Sequence, residues 1–323
     1  MITSFFFTCN YGYMKNLFFI LLNLLVSACL LSAQPLSIQE KLGYSKNAKL
    51  LIIHADDLGV SHSENEATEA AMEKGTVSSA SIMVPTPWFS EIAAYAVAHP
   101  MADFGLHLTL TSEWKYYKWG PLSGDNEVPG LVNKNGFLYP DVDSVYKNAS
   151  LKEVETELRR QIEKAKQSGV DFTHFDSHMG TLFGNAEYLK LLIGLGREYK
   201  VPVLLAKSGP RSAFNVNLNS FVTDKDIMVE RVYTANPADF KNGMENYYTN
   251  VMGSLQPGLS IFIIHTAYDD KEMQAITIDH PDWGAAWRQA DYDFFTSQKC
   301  KTILKEQDIH VITWREIRDK LVR

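Results

Sequence analysis

Asp56 and Asp57 stand side by side at the end of the apolar run Leu50-Leu51-Ile52-Ile53, after His54-Ala55. That run predicts a short buried strand, and Leu58-Gly59 turns the chain toward Ser61-His62-Ser63 and a helix beginning near Glu64. The pair therefore falls at the carboxyl end of a strand, where α/β folds place their ligands. Adjacent carboxylates repel, and burying both is costly without a cation or a shared proton. A bound divalent cation resolves the conflict. The competing reading is a solvated turn in which one Asp caps the following helix.

Histidines supply the partners. Gly105-Leu106-His107-Leu108-Thr109-Leu110 puts His107 in an otherwise apolar strand, and His174-Phe175-Asp176-Ser177-His178 closes another with several polar groups. A single strand histidine is ordinarily a hydrogen-bonded core residue. Asp57, His107 and His178 together offer one oxygen and two nitrogen donors from three strand ends, a divalent-metal set that leaves positions open for water and substrate. Asp56, beside that set but not needed in it, is free to act as a base. His174 and Asp176 are placed to orient His178. His62, His99, His280 and His310 have no such support and read as surface or capping residues.

These groups need a scaffold that brings strand ends together. From about residue 48, short apolar segments near 49–55, 78–84, 103–110, 171–175, 201–206, 227–233, 259–265 and 309–313 alternate with helical patterns at 64–74, 88–98, 151–168, 186–199, 238–254 and 291–307. Alternation of this kind predicts repeated β-α units around a parallel sheet, and about eight strands suggest a TIM-like (β/α) barrel, regular or irregular, over 48–323. The stretch 112–150 is aromatic, rich in Gly and Pro and too long for an ordinary connection, so it is expected to shape the site. Its Trp114, Tyr116, Tyr117 and Trp119, with Trp283 and Trp287 later, are equally suited to stacking on sugar faces and to packing the loop itself.

The 323 residues carry a formal net charge of −7 with no Lys/Arg block, which argues against a nucleic-acid partner. Met14-Lys15-Asn16 precedes an apolar run from Leu17 to Val26 and small residues after it, so 1–33 reads as a leader and signal peptide, with Met14 the better start, and 34–47 as a linker. Cleavage after Ala33 gives a soluble exported protein, periplasmic or extracellular. Val26-Ser27-Ala28-Cys29 instead resembles a lipobox, with a lipid anchor at Cys29. The run is interrupted by Asn23 and short for a retained span, so no transmembrane helix is expected in the mature protein. Cys300 is then the one internal cysteine of the body, which excludes an internal disulfide framework. Oligomeric state has no sequence signal.

Four ordered segments carry a resemblance: His54-Ala55-Asp56-Asp57-Leu58-Gly59, Gly75-Thr76-Val77-Ser78-Ser79-Ala80-Ser81-Ile82-Met83-Val84, Gly105-Leu106-His107-Leu108-Thr109 and His174-Phe175-Asp176-Ser177-His178. In order and spacing they resemble the YdjC-like (ChbG) carbohydrate deacetylases, over most of residues 48–320. The resemblance implies a barrel related to other sugar deacetylases and metal-dependent removal of acetyl groups from N-acetylated sugars or oligosaccharides. It implies Asp57, His107 and His178 as metal ligands, Asp56 as catalytic base, and His265 as general acid. The family follows that last histidine with Pro-Gly; Thr266-Ala267 here predicts a different loop shape. Magnesium is implied for some members, whereas two imidazoles suit zinc or another transition ion. Two other readings are a non-catalytic carbohydrate-binding barrel, which has no need of a base beside a metal, and a hydrolase of another bond such as a phosphoester, disfavoured by the absence of an evident Arg/Lys clamp near the motifs.

Overall fold

The run Leu50 to Ile53 is buried on both faces, as a strand at the centre of a parallel sheet must be. A computed structural model describes residues 36–208 and 221–323, of which Ile38–Arg323 form one compact unit. The leader, the Met14 start and Cys29 lie outside the described residues. Among those described, no helix is long and apolar enough to cross a membrane.

Among the described residues nine strands run β1 (Lys49–Leu58), β2 (Ser79–Ile82), β3 (Phe104–Leu108), β4 (Phe175–Ser177), β5 (Leu205–Ala206), β6 (Met228–Val229), β7 (Arg231–Tyr233), β8 (Gly258–Ile264) and β9 (Ile309–Val311). The main sheet is parallel, in the order β4-β3-β2-β1-β8-β7, curled into a half-barrel with helices around it. A parallel bridge between Phe175 and Val203, the β5–β6 pair, and a hydrogen bond from the Val232 amide to the Ser208 carbonyl (3.0 Å) span part of the open side. The irregularity has a definite form at β9. It pairs with Lys49 to Leu51 at the base of β1, while β2 takes His54 to Leu58 farther along, so the last strand shares a neighbour instead of forming its own stave.

Two predicted helices are each broken in two. Gly243, at φ +99°, separates Pro237–Asn242 from Met244–Ser254, and extended Ser297 ends Ala285–Thr296 while its hydroxyl caps Gln298–Glu306 at the Cys300 amide. Within the stretch read as a linker, Ile38–Leu42 is helical and Leu42 is buried. The 112–150 stretch folds back on the site through buried Glu157, whose carboxylate accepts the Leu122 and Ser123 amides at 3.0 and 2.9 Å, and it contains a short helix, Val142–Asn148.

The C-terminal segment is latched to the loop before β4. Asp171 accepts from Arg315 Nη1 and Arg318 Nη1, each at 2.7 Å, and Arg318 is buried. Partial burial pushes the Asp171 carboxyl up, but hydrogen bonds from Arg318 and Arg315 outweigh it and hold its pKa at about 2. A depressed acid stabilises the fold above its unfolded pKa and loses that contribution as pH falls through the folded value. Asp171→Asn is expected to cost about 1 kcal/mol at neutral pH, the figure for a half-exposed charged hydrogen bond after allowance for solvent screening. Unfolding curves of the two proteins should converge as pH drops toward 2; a gap that persists there excludes the linkage.

Candidate active site and metal centre

Successive strand residues face opposite sides of a sheet, so adjacent acids cannot ordinarily share a cavity. β1 solves this with a bulge. Its register to β2 runs Ala55 to Ala80 and then Leu58 to Ile82, one residue longer on the β1 side, and Asp57 adopts the left-handed conformation at φ +70°. Both carboxylates consequently line one cavity of ≈ 450 Å³ and approach the same imidazole nitrogen, His107 Nε2, at 3.8 Å for Asp56 and 3.3 Å for Asp57. The pair is therefore not a helix cap. That part falls to Ser61, whose hydroxyl accepts from the Glu64 amide at the start of His62–Lys74.

His107 and Asp176 are register partners on β3 and β4, and His107 Nδ1–H donates to Asp176 Oδ1 at 2.7 Å. A carboxylate can only accept, so this bond fixes the ring with Nε2 toward the two acids. His178 follows β4, just before Met179 in the left-handed region at φ +50°. It sets Nδ1 3.1 Å from Asp57 Oδ1, and its Nε2 meets Glu113 Oε2 at 2.9 Å. His265, one residue beyond β8, has Nε2 3.8 Å from Asp57 Oδ2. The strand-end residues Asp56, Asp57, His107, His178 and His265 thus meet at the C-terminal mouth of the sheet.

The donor set fits a divalent cation. Ligands about 2.0–2.1 Å from an ion at octahedral or tetrahedral angles stand roughly 2.9–3.4 Å apart, and Asp57 Oδ1 lies 3.3 Å from His107 Nε2 and 3.1 Å from His178 Nδ1. Asp57, His107 and His178 each offer one atom within 4.8 Å of the others. Burial alone lowers the pKa of both rings, but Asp176, Asp56 and Asp57 hold His107 well above the ordinary imidazole range, and Glu113 and Asp57 raise His178 to about 9. A cation must displace those protons.

Three side chains that complete the centre, Arg288 and Glu64 buried and Glu113 partly so, carry no motif in the sequence. Glu113 comes from the long loop and holds His178. Arg288, from Ala285–Thr296, donates Nη2–H to Asp57 Oδ2 at 2.8 Å, pairs through Nη1 with Glu64, and donates Nε–H to the Trp283 carbonyl at 2.7 Å. The two Asp57 oxygens are thereby divided, Oδ1 to His107 and His178 and Oδ2 to the guanidinium. Burial pushes Asp57 up, yet Arg288 and both histidines take it well below the usual carboxylate range. Glu64 is driven the other way, well up, chiefly by its own burial. Arg288 also corrects the reading that no cationic clamp lies near the motifs, although its guanidinium is already committed to protein groups.

His174 does not contact His178. Its ring lies against Gly105, where a Cβ would come within 2.3 Å of Cε1, and stacks on Trp314 at 5.2 Å. Asp176 orients His107 and not His178, because β3 is its sheet neighbour. His265 is held by its own amide, which donates to buried Asp291 at 3.0 Å, and burial lowers its ring to about 4, with Asp57 opposing and Arg288 assisting. In the loop beyond it, where the resemblance led one to expect Pro-Gly, the Thr266 hydroxyl bonds that of Thr68 at 2.7 Å and ties the loop to His62–Lys74.

Of the four loop aromatics, Trp114 alone lines the cavity, with Trp283 and His280 beside it. Tyr116 is exposed, the Tyr117 hydroxyl donates to the Val60 carbonyl at 2.6 Å, and Trp119 Nε1–H donates to the Thr111 carbonyl at 2.9 Å, so the last two pack the loop. Trp287 is buried beneath Trp283, their rings 4.8 Å apart. His280, read as a surface residue, meets the Trp114 ring edge-on at 5.0 Å. The cavity therefore joins a charged floor to a wall of Trp114, Phe183, Leu204, Val232 and Trp283.

A carbohydrate deacetylase of Thermus thermophilus is 28% identical over 288 residues, covering 87% of this chain and 98% of that protein. One from Thermoanaerobacter pseudethanolicus is 26% identical over 261 residues, 81% of this chain and 96% of the relative. A crystal structure from Enterococcus faecalis shares the fold with a TM-score of 0.69 at 22% identity, over 84% of this chain and 99% of its own. The family model described as YdjC-like protein matches residues 50–306, which contain the whole cluster from Asp56 to Arg288, and the chain belongs to that family.

Proposed function

We propose that this protein is a metal-dependent hydrolase that removes acetyl groups from N-acetylated sugars or oligosaccharides. The observation that carries the reading is the bulge that turns Asp56 and Asp57 into one cavity, one of them at ligand spacing from two histidines and the other left over. The naming of the Thermus and Thermoanaerobacter relatives as carbohydrate deacetylases supports the substrate class.

Asp57, His107 and His178 would hold the cation. When bound, it supplies a Lewis acid for the acetyl carbonyl and lowers the pKa of water. Asp56 accepts the proton of the attacking water, for which its carboxylate must stay ionised and aimed into the cavity. His265, across Asp57 from His107 and His178, is read as the donor to the departing sugar nitrogen, without which the tetrahedral intermediate reverts; with its ring held at about 4 it would pass on the proton that Asp56 takes from the water rather than bring one of its own. The apolar wall with Trp114 and Trp283 excludes water around the acetyl group and sugar ring. On the leader reading of residues 1–33, the glycan is met in the periplasm or outside the cell.

Stripping the protein with a chelator and adding back Mg²⁺, Zn²⁺ or Mn²⁺ singly, with acetate release followed on a panel of N-acetylated oligosaccharides, tests this directly. Activity should vanish on stripping and return with one class of cation. Unchanged acetate release after metal removal, or turnover of phosphoesters in its place, overturns the reading. Binding of sugars with no acetate released under any metal restores the non-catalytic alternative.

A further inference from the structure

His54 is fully buried, lies behind the cavity and is not among the groups assigned above, yet it touches two carboxylates of the site at once. Its Nε2 is 3.0 Å from Asp56 Oδ1 and 2.9 Å from Asp176 Oδ2. Its Nδ1 is 3.0 Å from the hydroxyl of Ser79, the residue directly opposite it in the β1–β2 register. The Ser81 hydroxyl, 3.2 Å from Nε2, donates to Asp56 Oδ1 at 3.3 Å. The other Asp176 oxygen holds His107. A continuous chain thus runs Asp56, His54, Asp176, His107, with a single ring at its centre.

We propose that His54 is a positioning residue that aims Asp56, coupling the orientation of the base to that of His107 through the shared Asp176 carboxylate. The inference rests on the reading of Asp56 as the base. Carboxylates accept only, so Nε2 must carry the hydrogen that lies between them, and the Ser79 hydroxyl at Nδ1 fixes which edge of the ring faces the acids. A histidine that merely filled the core would need partners, but not two acids each engaged in the site. With the ring sealed from solvent, no water competes for Asp56 Oδ1 from behind, and rotation of the carboxylate away from the cavity would leave Nε2–H with one acceptor fewer.

The test uses two neutral replacements of similar size. Glutamine reaches with its amide nitrogen about as far as Nε2, whereas asparagine reaches only about as far as Nδ1. His54→Gln should keep kcat near wild type, and His54→Asn should lose about 10–100-fold in kcat, with KM and the metal Kd little changed, the range typical for groups that orient a site from behind. Equal turnover in the two variants, or metal affinity falling in step with kcat, overturns the proposal. Should His54→Asn fail to fold, Ser79→Ala carries the same test by releasing the Nδ1 edge: a lower kcat at constant KM supports the proposal and an unchanged kcat refutes it. Asp56→Asn measured in parallel separates the two levels. Wild-type turnover in that variant removes the base itself, whereas its inactivity beside a fully active His54→Asn removes only the role of His54.

Discussion

Asp56→Asn is expected to lower acetate release by about 10²–10⁴-fold, the usual worth of a general base, while the protein keeps its cation and its fold. The amide has the carboxylate's shape and retains a carbonyl oxygen to accept from His54 Nε2, now 3.0 Å from Asp56 Oδ1. It cannot take a proton from water at neutral pH. Asp57, His107 and His178 form a donor set without Asp56, so the metal Kd should shift by much less than kcat. Metal titration alongside initial rates checks both halves. Normal turnover removes Asp56 from the mechanism, and loss of the cation would make it a ligand.

That prediction concerns a residue legible before any coordinates, and the reason is the strand. Asp56, Asp57, His107, Asp176 and His178 sit in or beside short apolar runs, where a polar residue interrupts a pattern and so draws attention. Arg288, Glu64 and Glu113 lack that contrast. Arg288 and Glu64 occupy helices in which one charged residue per turn is the ordinary solvent face, and Glu113 lies in a loop with no period at all. The burial of Arg288 and Glu64 depends on contacts across the chain: Arg288 meets Asp57 over a separation of 231 residues. The fold shows the same division. The central strand and its parallel neighbours follow from apolar runs, but the splitting of the segment near 227–233 into β6 and β7, and the seat of β9 at the base of β1, are set by tertiary pairing that no local pattern encodes.

Arg288→Met should be among the most destabilising single changes in the molecule. The guanidinium is almost fully buried and bridges Asp57 and Glu64, both themselves buried. Methionine fills much of the space but leaves two carboxylates facing each other in a low-dielectric interior. Breaking a buried ion network by removing one partner costs about 3–5 kcal/mol, a fall in Tm of roughly 5–8 °C for a domain of this size. Glu64, already pushed up by burial, can take a proton in the variant, which favours the lower end of that range. Lysine should rescue only in part, since one ammonium cannot span both acids and the Trp283 carbonyl as the planar fork does. Thermal unfolding of the metal-free proteins isolates the effect from ligand stabilisation. An unchanged midpoint would mean that the triad is worth no more than its apolar replacement.

The extra residue in β1 also bears on how such a centre could be moved to another scaffold. Copying the five side chains onto the strand ends of a regular barrel would send one of the adjacent acids outward, among the apolar side chains under the helices, because an unbroken strand alternates its faces. In this protein the extra residue is one of the two acids themselves, since only Asp56 and Asp57 lie between Ala55 and Leu58. What must be transplanted is therefore a backbone defect, with a residue at position 57 that tolerates φ +70°, and a designer who grafts it first will find the carboxylates already pointing the right way.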